Sequence, residues 1–308
     1  MPDIILHHYP RSPYAEKIRL ALGLKRVAYR SVIIPAWMPK PGLMPLTGGY
    51  RRTPVMQVGA DVFCDTLVIL QQIERMHPTP PLFPAGGGAT ATILGWNLER
   101  SLFPPAVGVT IGLHGNTYPR DLIEDRLQFF GFSIEPAAML AQQARFVNQV
   151  NAQIAWLGAL LGDGRPFLLG AEPNAADLGA YHPLWHLRRN GGERAMALLP
   201  ALATLIPWMD RIAAIGHGAP EDFPASEALA IAAKAEPMQP DAPDGAPRLM
   251  GLEPGDQVSL TPDDCGRDPV VGTLVSVSAD AVVLRRTVAA LGEINVHFPR
   301  AGFDAAAA

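Results

Sequence analysis

The chain has 308 residues, 48% hydrophobic and 18% charged, enough apolar material for a sizeable core and a length suited to about two domains. Its 25 basic and 29 acidic side chains leave a formal charge of -4, without the basic excess of a dedicated nucleic-acid binder. Two cysteines, Cys64 and Cys265, cannot build a disulfide framework or a cysteine-rich metal site, and no apolar run reaches the ~18 residues of a membrane span.

Ile4 to Tyr9 is short and apolar and reads as a buried strand. Met1 to His8 carries no basic segment leading into a long apolar one, so no signal peptide is expected and the location is cytoplasmic. Ser12-Pro13 then reads as a helix start, with Ser as N-cap and Pro at the first helical position. That helix runs to about Leu24, and Ala28 to Ile34 is the next strand. A loop rich in Pro, Gly and Met follows from Pro35 to Arg52. Pro54 to Val58 and Val62 to Cys64 flank Gly59-Ala60-Asp61, a hairpin signal. Asp65-Thr66 opens another helix, with Leu67, Leu70, Ile73 and Met76 at helical spacing.

A Pro- and Gly-rich linker over residues 77–88 ends this region. Residues 89–234 show only helical periodicity, with helices expected at about 89–103, 120–130, 136–161, 175–190, 201–215 and 225–234. Asn174-Ala175-Ala176-Asp177 has the spacing of a capping box, with Asp in place of Glu. Four prolines in 235–248 make a second linker. Beyond it, β-branched, alternating runs at 256–260, 270–278, 281–286 and 292–298 read as a small barrel or sandwich, separately folded and dispensable for ligand binding. Asp263 to Asp268 reads as an exposed polar loop, and the terminal alanines as a frayed end.

The order β-α-β, loop, β-β-α, linker and helical domain carries four short motifs. These are Tyr9-Pro10-Arg11-Ser12-Pro13-Tyr14 after the first strand, Arg52-Thr53-Pro54-Val55 before the hairpin, Cys64-Asp65-Thr66 at the last helix start, and the Asn174–Asp177 cap. Together they resemble the glutathione S-transferase family over about residues 3–234. The resemblance implies an α/β thioredoxin-like domain (1–80) that binds glutathione, followed by an all-α substrate domain (89–234). A small all-β C-terminal module (245–308) lies outside the family pattern.

The resemblance also assigns roles. Ser12 occupies the position from which the family activates glutathione. A free thiol ionises near pH 8.5, and a hydroxyl donor at a helix N-terminus favours its thiolate. Tyr9 and Tyr14 are rival donors. Thr53-Pro54 resembles the family's cis-proline turn, which aims the Thr53 main chain at the cysteinyl part of the ligand; Thr replaces the commoner Val. Asp65-Thr66 matches the family's acidic-hydroxyl pair for the γ-glutamyl end. Lys40 is the candidate for the glycyl carboxylate, with Arg51 or Arg52 as alternatives. Trp96, Phe103, His114, Tyr118, Phe129 and Phe130 are candidates for the second pocket.

His182 and His186 stand at i, i+4, but no third ligand is near in sequence, so no metal is expected. The implied activity is conjugation of glutathione, as co-substrate, to a small electrophile by a homodimer, without nucleic-acid or membrane partners. A non-catalytic binding or scaffold protein on the same fold stands as the alternative. A glutathione-dependent isomerase, dehalogenase or peroxidase is another.

Overall fold

The computed structural model describes residues 3–131, 133–240 and 249–308. Strand β1 (Ile5–His8) leads into helix α1 (Pro13–Leu24) and strand β2 (Ala28–Ile33), which pairs parallel to β1. A short helix α2 (Met44–Thr47) sits in the following loop. Strands β3 (Val55–Val58) and β4 (Asp61–Cys64) form the expected hairpin, and α3 (Thr66–Met76) closes the thioredoxin-like unit. Side chains alternate between two cores, as strand periodicity requires. Leu6, Met56 and Phe63 face α1, α3 and the helical domain, whereas Ile5, Val55, Val62 and Cys64 face the opposite layer.

The helical domain holds α4 (Gly88–His114), α5 (Arg120–Phe130), α6 (Pro136–Ala141), α7 (Gln143–Leu160), α8 (Ala175–His186), α9 (Gly192–Leu198) and α10 (Ile206–Ala213). The first helix was expected to stop at 103. It continues through Pro104-Pro105, because burial of Leu102, Ala106 and Val109 outweighs the hydrogen bonds the prolines forfeit. The expected 136–161 helix breaks at Gln142, and 201–215 opens as a 3-10 turn at Pro200–Leu205. The cap at α8 is formed. Asp177, buried, accepts from Asn174 N, Leu168 N at 2.8 Å and the Trp208 indole at 2.9 Å, so its role is structural.

After α10 the chain adds β5 (Ala219–Asp222) parallel to the outer edge of β2, a strand that its exposed Ala-Pro-Glu-Asp sequence does not announce. Helix α11 (Ala225–Lys234) follows and buries Ala228 and Ala232 on the second core.

The C-terminal module is all-β: β6 (Gln257–Pro262), β7 (Val270–Val277), β8 (Ala281–Val288), β9 (Gly292–Pro299) and β10 (Phe303–Ala307). The expected start of this module at 245, and Pro243 and Pro247 of the linker, lie outside the described residues. The module is not self-contained as expected. Strand β9 pairs parallel to β4, with Asp61 opposite Asn295, giving one ten-stranded sheet in the order β10-β6-β7-β8-β9-β4-β3-β1-β2-β5. Its Leu260, Leu284, Val296 and Phe298 share the second core with Ile5, Val55 and Leu46. The terminal alanines are likewise not frayed: Ala305 to Ala307 pair with Leu260 to Val258, because the edge of β6 supplies main-chain partners that small side chains do not obstruct. Among the described residues, no helix is long and apolar enough to cross a membrane.

Candidate functional site

Strand register brings three of the motifs to one end of the sheet. His7 of β1 lies opposite Val55 of β3, and Val55 opposite Cys64 of β4. Ser12, Pro54 and Asp65 follow or precede these positions by a few residues, so they gather where β1 and β4 end and β3 begins. Two helices, α1 and α3, start at this place and direct their N-terminal dipoles toward it.

Ser12 caps α1 as expected: its Oγ accepts from Ala15 N at 3.2 Å, and the residue is buried. The same oxygen retains its proton for donation. Thr53-Pro54 is cis, matching the expected turn. Among the described residues the Thr53 main chain makes no main-chain hydrogen bond. Asp65 sits at φ 91° as N-cap of α3, accepting from Leu67 N at 2.9 Å. Burial pushes its carboxyl up, while the Leu67 N–H and the Arg52 guanidinium work in the opposite direction. Thr66 Oγ1 accepts from the buried Lys17 ammonium at 3.0 Å, and Lys17 in turn pairs with Glu99 of α4. The Thr66 hydroxyl proton is therefore directed elsewhere. Lys17 and Glu99 carry no motif, and only the contact between α1 and α4 reveals them.

Lys40 is buried, with Nζ donating to Arg51 O at 2.7 Å and to Thr53 Oγ1 at 2.9 Å. Two of its three donors are used, and the third can take a carboxylate. Burial, then the Arg126 and Arg51 charges, lower it to about 7. Arg51 is paired with Asp125, which also accepts from Arg126 at 2.9 Å and from Met38 N at 3.1 Å. Lys40, Arg51 and Arg126 thus surround a single carboxylate. The α5 members, Asp125 and Arg126, escaped sequence reasoning because nothing local distinguishes them from solvated helix charges.

Tyr14, two residues after Ser12, belongs to an aromatic group. Tyr14 packs on Phe103 and on His182, with ring centroids 4.9 and 4.6 Å apart, and Phe103 lies 6.0 Å from His186. Burial raises the Tyr14 hydroxyl well above its ordinary value, with Glu99 adding to it, so Tyr14 is a donor at neutral pH. Burial lowers His186 to about 4. The His182 and His186 rings serve this group. Among the described residues no cluster of three or more His, Cys, Asp or Glu is placed to hold a metal ion. Of the other pocket candidates, Phe129 faces the tail, Trp96 stacks under Arg100, and His114 bonds to Gly191 O at 3.1 Å.

The Asp263–Asp268 loop is exposed at Asp263, Asp264, Arg267 and Asp268, as expected, but it is also fastened to both domains. Arg52 pairs with the Asp264 carboxylate and donates to Cys265 O. Arg100 of α4 pairs with Asp263 at 2.7 Å, and Gly266 N donates to Phe129 O of α5 at 2.7 Å. Cys265 is half-buried, its thiol raised by burial to about 11. The loop ends up here because β6 and β7 extend the N-terminal sheet, which carries their connection to the line between the two domains.

Family models for the glutathione S-transferase N-terminal and C-terminal domains match residues 6–81 and 141–230. A solved GST-like protein from Pseudomonas syringae is 32% identical and superposes with a TM-score of 0.77, covering 99% of this chain and 100% of that one. The chain belongs to the glutathione S-transferase family, whose members bind glutathione. The Pseudomonas protein matches over the tail as well. A glutathione S-transferase from Methylobacterium radiotolerans, solved with glutathione sulfonate, shares the fold at 24% identity and a TM-score of 0.50 over 72% of this chain and 97% of that one. FtsZ-localized protein A of Caulobacter vibrioides is 30% identical over 97 residues, a match spanning 30% of this chain and 42% of that protein.

Proposed function

We propose that the protein is a glutathione transferase that adds the glutathione sulfur to a small electrophile. The observation that carries this reading is the convergence of Ser12, the cis Thr53-Pro54 turn and the Asp65-Thr66 cap at one end of the sheet, under two helix N-termini. In this reading the Thr53 main chain pairs with the cysteinyl residue as an added strand does. Asp65 holds the γ-glutamyl amino group, and the α3 N-terminus with Thr66 holds its carboxylate. Lys40 takes the glycyl carboxylate. The Ser12 hydroxyl donates to the sulfur, stabilising the thiolate after its proton passes to solvent. The thiolate then forms a bond to the electrophilic carbon, and the electron pair leaves with a displaced halide or passes to the epoxide or enone oxygen, the product then taking a proton from solvent. Tyr14, Phe103 and His186 wall the second-substrate side.

A homodimer belongs to the same reading. Ile93 of α4 and Trp156 and Leu160 of α7 are exposed on two helices that Ser101 and Gln153 tie together, an apolar face suited to a second copy. Light scattering that finds a 33.0 kDa species at micromolar concentration counts against it. The site as a whole is tested by calorimetry with glutathione, followed by conjugation assays on aryl halides, epoxides and enones. Binding with turnover of at least one class is expected.

A second reading, a non-catalytic binding protein on this scaffold, is favoured by one observation: the tail loop lies across the cleft. The relative named as FtsZ-localized is consistent with it. Glutathione binding without turnover of any electrophile selects this reading, and the absence of binding removes the first.

A further inference from the structure

The connection from β6 to β7 joins two antiparallel neighbours, a task that two to five residues usually accomplish. Here Asp263 to Pro269 are used, and the extra length runs out to the interdomain cleft. Two of its three acidic residues meet arginines from different walls: Asp264 meets Arg52, next to Thr53, and Asp263 meets Arg100 on α4. Gly266, at φ 55°, donates its N–H to Phe129 O on α5. A side chain at Gly266 would meet the Phe129 ring at 2.5 Å, so the main chain approaches that closely only without a Cβ. The loop is thus fastened to the thioredoxin-like unit on one side and to two helices on the other.

We infer that the Asp263–Asp268 loop is a latch across the interdomain cleft, one that must release before an acidic ligand can reach Arg52 and the Thr53 turn. Docked, the loop presents to Arg52 a carboxylate and a carbonyl, the same polar groups that a peptide ligand with free carboxylates offers. Ligand and latch therefore compete for one guanidinium. Both fastening ion pairs are partly open to solvent, with Asp264 and Asp263 side chains 40% and 35% exposed. Such pairs are weak and screened by salt, which makes the latch reversible. For the ligand's identity the inference rests on the glutathione reading above.

Cys265 is the built-in reporter. Half-buried while the loop is docked, it becomes accessible on release, whereas Cys64 is fully buried in the sheet. Alkylation by iodoacetamide is followed in the full chain, with Cys265→Ser giving the Cys64 background. Asp264→Asn should label about threefold to tenfold faster than the natural protein at low salt, and the two rates should converge as salt rises. Glutathione sulfonate, which has no thiol to consume the reagent, should accelerate labelling of the natural protein and bind Asp264→Asn more tightly by calorimetry. Equal labelling rates for the two proteins at low salt overturn the latch, as does slower labelling with glutathione sulfonate bound. Fast labelling of Asp264→Asn without any glutathione sulfonate binding leaves the latch standing and removes the glutathione reading. Should Asp264→Asn fail to fold, Asp263→Asn releases the other fastening and is read by the same rates with the same outcomes.

Discussion

Arg51 and Arg52 are sequence neighbours of one type that hold opposite walls of the cleft. Arg51 reaches the helical domain, where Asp125 gathers Arg51, Arg126 and a main-chain N–H with its own side chain only 7% exposed. Arg52 reaches the tail, where Asp264 is 40% exposed. The chemistry is the same and burial differs. Removing one partner of a buried pair leaves the other charge without solvent, which costs about 3–5 kcal/mol, while exposed pairs contribute about 0–1 kcal/mol. One wall is therefore a permanent joint and the other can let go.

Asp125→Ala gives the largest expected effect and attacks the joint directly. It should cost about 3–5 kcal/mol of stability in denaturant titration, because Arg51 and Arg126 lose their shared acceptor. A loss under about 1 kcal/mol would place this wall in the same class as the tail's. Ser12→Ala comes next. Losing a charge-assisted bond to the thiolate, worth about 1.5–3 kcal/mol, should slow conjugation by roughly ten- to a hundredfold. The lost N-cap should also cost about 1 kcal/mol of stability. Full activity in this variant would bring Tyr14 forward, whose hydroxyl burial keeps protonated at neutral pH.

Asp65→Ala should raise the glutathione KM more than it lowers kcat, since a contact remote from the sulfur acts alike in ground and transition states. A variant that merely unfolds, with unchanged affinity per folded molecule, would reduce Asp65 to a cap. The smallest effect sharpens the picture of the permanent wall. Lys40 is lowered by burial from its ordinary value of 10.5 to about 7. Between these values the unfolded chain holds more protons than the folded one, so stability rises with pH across that window. Below about 7 the penalty of the buried charge is fully present. Lys40→Met should flatten the rise, and glutathione affinity should fall over the same window as the ammonium loses its proton. A pH-independent affinity would remove Lys40 as carboxylate ligand.

What the sequence made legible was local. Ser12-Pro13, Asp65-Thr66 and Asn174–Asp177 are caps, and a cap is recognised from residues within one turn of each other. The short apolar run from Ile4 read as a buried strand, and its side chains do divide between two cores. The Lys17–Glu99 pair was not legible, because 82 residues separate its partners and each looks like an ordinary helix charge. Arg52 and Asp264 are 212 apart, and an Asp-Asp-Cys-Gly loop reads as solvated until the sheet that carries it is traced. Pro104-Pro105 misled in the opposite direction: a local rule predicted an end, and packing of the flanking turns overrode it. The site's first half is written in turns and caps, and its second half in contacts made only by folding.

The parallel pairing of β4 with β9 also has a consequence in time. Asn295 donates to Asp61, 234 positions earlier in the chain, and His297 bonds to the same carboxylate at 2.7 Å. During synthesis at about 5–20 residues per second, roughly ten to fifty seconds pass between the emergence of the two strands. Throughout that interval the outer edge of β4, and the apolar face made by Ile5, Val55 and Val62, await partners that the ribosome has yet to deliver. A nascent chain with an open strand edge and an uncovered core is the form most prone to pairing with another chain, so this interval is the one in which such pairing competes with native folding.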